Sequence, residues 1–305
     1  VRAAEEAAGA GAPGRVAAEE PVDRPRGSHA MDIVFSQDPR DFARRDWSAL
    51  VRADPAGTFF HTPGFLKIYW EEFADQPDHL LLAFAEEDGD QVGAVALERL
   101  DGTLRFLGGT EVTDYMGPVA SPEARSTVAK ELFAALGRAD DWAEADLRGL
   151  PEDQQWLELL VEAAAAQGFS TEVLEDQNGV APFLPLPGSY EEYLERLPSK
   201  LRHEIKRKAR RLEGEVGPWH ICLATQDTLE AFLDRFVELH RTSEGPKGVF
   251  MQPGMEIFFR RLGEEFLQAL RLIVPDAPPF QAVSIDPKQS VDEMREAIAD
   301  ALRRA

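Results

Sequence analysis

From Asp32 onward, apolar positions recur in two rhythms. Between residues 63 and 74, Phe65, Leu66, Tyr69, Trp70 and Phe73 fall at helical spacing, so the segment predicts a helix with one apolar face. Thr62 is placed to cap it and Pro63 suits its first turn. A further helix is predicted at 41–53. The runs LLLAFAEE and QVGAVALERL flank Asp88-Gly89-Asp90 and read as a hairpin, with DIVF before it and TLRFLG after it as further strands. Helix is predicted at 122–138 and 152–167, and strand at 143–149 and 169–175. VAPFLPL reads as a short edge strand, limited by its prolines.

Pro187-Gly188 marks a boundary. Beyond it, helices are predicted at 189–196, with Ser189 and Glu192 as a capping box, and at 199–214, 227–244 and 254–267. Short strands are predicted at 218–224, 270–274 and 280–285, and an amphipathic helix at 290–304. Mixed hairpins and helical crossovers indicate an α/β (α+β) layer around a central sheet.

Residues 1–30 are rich in Ala, Gly, Pro and Glu and contain no Phe, Tyr or Trp, so a disordered tail is expected, with the domain starting at Met31. Acids interrupt this segment throughout, unlike the apolar core of a signal peptide. Gly9, Gly11 and Gly14 match G-x-G-x-x-G, but no strand precedes them, and a dinucleotide site needs that setting.

Composition narrows the chemistry. The 305 residues carry a net charge of −22, which argues against nucleic acid binding over the whole surface, and no specific DNA partner is expected. No apolar run approaches the ~20 residues of a membrane span. Cys222 is the single cysteine, so no internal disulfide forms, which fits a cytoplasmic setting. No H-E-x-x-H or paired His/Cys spacing occurs, so no metal is expected.

Against that acidic background, residues 196–211 hold Arg196, Lys200, Arg202, Lys206, Arg207, Lys208, Arg210 and Arg211 with one acid, Glu204. The run reads either as a solvated helix face or as a peripheral anion contact. Arg202 and Lys206, four residues apart on one face, are the candidates for binding substrate. Asp114 and Tyr115 follow a strand, where the carboxylate can take an amine proton and the hydroxyl can bond a carbonyl, or where an Asx turn simply packs an aromatic. His240, next to Arg241, lies on an apolar helix face. His61 lies at a helix start.

Several stretches together resemble a known family: FFHTPGFLKIYWEEF, GDQVGAVALERL, LGGTEVTDYMGPVASPE, SYEEYLERLPSKLRHEIKRKARRLE and FVELHRTSEGPKGVFMQPGMEIFFRRL. Their order resembles the CelD/BioF-like group of GNAT-superfamily acyltransferases, relatives of the FemAB peptidyltransferases. The resemblance implies tandem GNAT-like domains, each a mixed central sheet flanked by helices. These would be an N-terminal domain at 31–186 and a partial one at 187–267, followed by an atypical segment at 268–305 that ends in a helix. The second domain reads as incomplete, truncated or replaced after residue 267, and no Q/R-x-x-G-x-G/A pyrophosphate loop is present.

The implied activity is N-acyl transfer from acetyl-CoA, another acyl-CoA or an aminoacyl donor to an amine, the acceptor being a small molecule or a cell-envelope precursor. Catalytic roles would fall to Asp114, Tyr115 and His240, and substrate binding to Arg202, Lys206, Arg241 and His61. The alternative is a non-catalytic binding or scaffold protein on a degenerate GNAT fold. A third reading docks the basic helix on a membrane surface.

Overall fold

The computed structural model describes residues 2–4, 31–44, 47–74, 76–109, 111–139, 141–151, 155–174, 187–217 and 224–273. The chain divides into two compact units, Val1–Ala181 and Pro182–Ala305.

The first unit is built on one mixed sheet. Its strands are β1 (Arg2–Ala4), β2 (Asp32–Ser36), β3 (Leu80–Glu87), β4 (Asp90–Leu100), β5 (Thr103–Phe106), β6 (Val119–Ala120), β7 (Glu144–Asp146) and β8 (Ser170–Glu172). The order is β2-β3-β4-β5-β7-β1-β8, with β6 paired to β4. The pairing of β5 with β7 is parallel and the other pairings are antiparallel. β1 is a correction to the sequence reading: residues 2–4 pair with both β7 and β8. Residues 5–30 lie outside the described residues.

Asp88 and Gly89 close the β3–β4 hairpin with φ of 53° and 90°, and Asp101 and Gly102 close β4–β5 with 51° and 77°. Two central residues at positive φ make the turn whose twist matches that of the strands, which is why Asp-Gly recurs.

The central strands are covered on both faces, so their text is almost continuously apolar. Ala83, Ala85, Val95 and Leu97 join the core cluster with Val128, Leu132 and Phe133 of α4 (Arg125–Leu136, after the short α1, Asp41–Arg44; α2, Trp47–Ala53; and α3, Pro63–Tyr69). Leu160 and Ala163 of α5 (Trp156–Ala166) complete that cluster. On the opposite pleat Phe84 meets the Trp47 ring edge-on at 5.7 Å. The helix predicted over 63–74 is two pieces: α3, capped by the Thr62 hydroxyl accepting from the Phe65 N–H, and a wider π-turn at Trp70–Ala74.

The described residues of the second unit are helical: α6 (Tyr190–Arg196), α7 (Ser199–Val216), α8 (Leu229–Arg241), α9 (Pro246–Phe250) and α10 (Pro253–Ile273). The Ser189 hydroxyl accepts the Glu192 N–H at 3.1 Å, while the Glu192 carboxylate reaches Gly188, one residue farther back than a capping box requires. Gly263 lets α10 approach α8, since a Cβ there would stand 3.2 Å from both Leu229 and Leu233.

The strand predicted at 270–274 is overturned through Ile273, because α10 runs on without a break. A β-branched and leucine-rich run of that length does not distinguish strand from buried helix. Most of the predicted strand at 218–224, Cys222, and the segments at 180–186, 280–285 and 290–304 lie outside the described residues. None of the described helices is long and apolar enough to cross a membrane.

Candidate functional site

The sequence candidates fall into two groups, His61, Asp114 and Tyr115 in the first unit and Arg202, Lys206, His240 and Arg241 in the second.

In the first unit the chain leaves the sheet after Phe106 and returns as β6. Leu107 still donates to the Ala96 carbonyl, and Val119–Ala120 then pair with Gly93–Ala94. The excursion 107–118 therefore springs from between two strands that share one edge of β4. It is pinned from several sides. The Thr113 hydroxyl donates to the Gly108 carbonyl at 2.6 Å, and the Met116 N–H donates to the Gly149 carbonyl at 2.8 Å. His61 hydrogen-bonds the Met116 backbone, while its Nδ1 accepts the Thr58 N–H at 3.1 Å. An accepting Nδ1 assigns the ring proton to Nε2.

Burial pushes the His61 pKa down to about 4, against a smaller opposite pull from Asp54. The imidazole is thus neutral at pH 7 and is a tie between two loops; it offers a substrate anion no positive charge. Asp114 is exposed at the tip of this excursion, and Tyr115 is half-buried with its ring 6.5 Å from Phe60. The cavity beneath, lined by Trp47, Phe60, His61, Ala96 and Met116 among others, measures about 10 Å³, room for one water and no more.

Sequence reading missed two features of this unit. The first is a buried ion pair. Asp54, at the end of α2, accepts from Arg125 of α4 at 2.5 Å, from the Ala120 N–H at 2.9 Å and from the Ala56 N–H at 2.8 Å. The guanidinium also lies 5.7 Å from the centre of the Trp156 ring. Residues 71 apart in sequence gave no local spacing to detect. The second is Glu98, which stands opposite Arg105 across β4 and β5. Burial raises its pKa, while Arg105 and His79 pull it down. Tyr69 is pushed up to about 12 by burial first and by the Glu98 charge second. Gly109, at φ 64°, is obligatory beside it, since a Cβ would stand 2.3 Å from the Tyr69 hydroxyl. An acid closing an otherwise apolar strand was the available signal.

In the second unit His240 sits on the apolar side of α8. Its ring centre is 4.5 Å from that of Phe236 and 6.1 Å from that of Phe250. Nδ1 is buried and has no hydrogen-bond partner. Arg241 is engaged: it donates to Glu256 of α10 at 2.6 Å. Glu256 also receives Arg260, which in turn reaches Asp234 of α8 at 2.6 Å. These cations hold the Glu256 carboxyl below its usual range, Arg260 contributing most. Arg202 is half-buried, with one guanidinium nitrogen on the Leu197 carbonyl at 3.3 Å and a buried Nε that has no partner. Lys206 is exposed. A groove of about 480 Å³ runs along the N-terminal half of α8, lined by Leu229, Glu230, Leu233, Arg260, Glu264 and Leu267 among others; His240 is not in its lining.

Residues 199–275 match the family model of an acetyltransferase (GNAT) domain. The match begins at the first residue of α7, ends two residues past α10, and takes in Arg202, Lys206, His240 and Arg241. It supports placing the chain in the GNAT superfamily and supports acyltransferase-like chemistry at the level of the family. No curated protein and no solved structure matches the chain. No group of three or more His, Cys, Asp or Glu that would hold a metal ion occurs among the described residues. GNAT domains typically bind an acyl-CoA donor. The described residues of the second unit are helical and offer no strand pair whose backbone N–H groups would meet the donor's pyrophosphate. The donor end of the site therefore does not fit the described residues.

Proposed function

We propose that the chain is an N-acyltransferase of the CelD/BioF-like kind, related to the FemAB enzymes, working in the cytoplasm on an amine of a small molecule or cell-envelope precursor. The observation that carries this reading is the GNAT family match over 199–275. In such a reaction the amine nitrogen bonds to the acyl carbon, the carbon–sulfur bond of a thioester breaks, and the sulfur leaves as a thiol. The incoming ammonium must first lose a proton, because a protonated amine has no lone pair to attack with.

His240 is the residue in the matched segment suited to accept that proton. Its Nδ1 is unengaged, and packing against Phe236 fixes the ring plane. Arg202, whose Nε is buried and unpartnered, is the proposed contact for an anionic group of the substrate. Taken by itself, the first unit offers Asp114 and Tyr115 as proposed polar contacts, presented at the end of a loop that His61 and Thr113 hold in place. Arg241 supports the site indirectly, by tying α8 to α10 through Glu256.

The experiment is thiol release from acetyl-CoA by the full chain over a panel of amines. His240→Gln is expected to lower kcat by about 10²–10⁴-fold, with the thermal melt unchanged. A folded chain that neither binds acetyl-CoA nor releases thiol with any amine would sink the proposal and leave the binding-protein reading.

A further inference from the structure

The groove of about 480 Å³ along α8 and α10 has an aliphatic floor. Leu229 and Leu233 of α8 and Leu267 of α10 line it, and each is half-buried. Its rim is acidic. Glu230 and Glu264 are exposed there, and neither has a cation within ion-pair distance among the described residues. Arg260, the cation of the lining, is already engaged by Asp234 and Glu256. Leucines between free carboxylates call for an occupant with aliphatic side chains and positive charge at their edge.

The sequence carries such a segment beyond α10. Residues 290–304 have the pattern of an amphipathic helix. At ~100° per residue, Val291, Met294, Ile298 and Leu302 fall within about 80° of one another. Arg295 borders that stripe, about 20° beyond Leu302. Asp292, Glu293, Glu296 and Asp300 all lie about 120° or more from the centre of the stripe. The side with the aliphatic residues therefore carries a cation at its edge and keeps its acids turned away.

We propose that residues 290–304 dock as a helix in the groove between α8 and α10. Val291, Met294, Ile298 and Leu302 seat on the leucine floor, and Arg295 meets the acidic rim. This goes beyond the acyl-transfer reading and does not depend on it.

Tether length and charge select this occupant. From Leu267 in the groove, α10 runs on to Ile273, about 9 Å at 1.5 Å per residue. Residues 274–289 then join it to the proposed helix. A flexible chain of that length has a mean end-to-end distance of about 20–25 Å, enough to fold back. Such a tether holds the segment at an effective concentration of about a millimolar, so weak contacts suffice to fill the groove. A second copy of the same face, related by a two-fold axis, would set Glu230 and Glu264 against their own counterparts. A fatty acid or another anionic amphiphile would meet both carboxylates with a charge of the same sign. A helix of this length is marginal alone in water, so its order would have to come from the groove.

The test is hydrogen exchange of the full chain, resolved by peptide with mass spectrometry. Amides of 291–302 are expected to exchange roughly tenfold or more slowly than in an unfolded chain. Ile298→Asp with Leu302→Asp should remove that protection and speed exchange at 226–233, the start of α8. Glu230→Lys with Glu264→Lys changes exposed, unpaired side chains, so α8 and α10 keep their fold. It should lower the protection of 291–302 by about two- to fivefold, the scale of an exposed charge pair. Adding Arg295→Glu to that variant should restore it. Exchange of 291–302 at the unfolded rate would overturn the proposal. Protection that the two glutamate changes leave untouched would put the segment on another apolar face, such as the leucines of α7, and equally overturn it. Protection that falls on dilution, with a dimer seen in sedimentation, would give the groove to a second copy and also overturn it.

Discussion

In the first unit the Asp54 carboxylate is fully buried and answers to three donors, one of them a guanidinium whose side chain is 6% exposed. In the second, Glu256 also answers to two guanidinia, but those of Arg241 and Arg260 are 46% and 30% exposed. The two arrangements use the same chemistry and differ in what happens when they fail. A buried carboxylate stripped of its cation has no water to turn to. An exposed one re-solvates at once. The first unit is therefore a scaffold whose ion pair sets its geometry. The second ties α8 to α10 by packing and by ion pairs that water reaches.

The change that separates the two most sharply is Arg125→Met. It leaves the Asp54 carboxylate buried with only the Ala56 and Ala120 N–H groups, and it removes the cation beside Trp156. Breaking a buried pair from one side costs roughly 3–5 kcal/mol. Urea unfolding of the full chain should show that loss in the transition of the first unit, with the helical unit's transition unmoved. Comparable shifts in both transitions would mean that the units do not melt independently.

A second measurement uses pH. An unfolded His61 takes up a proton near pH 6.5, whereas the folded ring resists until about pH 4. Between those values the unfolded state binds more protons, so stability is fully present above pH 6.5 and falls as the pH is lowered toward 4. Over that window the effect amounts to about 3 kcal/mol. His61→Asn should be less stable at pH 7 but should lose this slope. Glu98, whose folded pKa is raised by burial, acts in the opposite sense as the pH falls and partly offsets it. A wild-type profile as steep in the variant would remove His61 as the cause.

Much of this was legible in the sequence, and the rest was hidden for identifiable reasons. The Asp88-Gly89 hairpin, the Thr62 cap and the apolar face bearing His240 are local patterns of a few residues, and the structure has them where the spacing puts them. The paired state of Arg241 and the tie from His61 to the Met116 backbone were not legible, because their partners lie 15 and 55 residues away, and the burial that keeps His61 neutral arises only from the packed fold. The helix continuing through Ile273 was misread because apolar runs are ambiguous in length and period. The acid-paired side of the basic run lies at Glu204 and Glu215. Half of it is the solvated face that charge runs usually are, and only the positions of Glu204 and Glu215 around the helix reveal which half.

The smallest expected effect comes from the mirror image of the Arg125 change. Glu256→Gln removes the acceptor shared by Arg241 and Arg260 while leaving Asp234 for Arg260. Arg260 and Arg241 hold the Glu256 carboxyl low in the folded state. Its contribution is therefore present above the ordinary carboxylate pKa and disappears as the pH falls through the depressed value. Because the pair is wet, the urea midpoint should move far less than with Arg125→Met, and the small difference should vanish in high salt, where exposed pairs are screened. A loss as large as that from Arg125→Met, or one indifferent to salt, would show that Glu256 is sealed from water in solution. The contrast between the two units would then fall, and Arg241 would become a structural residue of the same rank as Arg125.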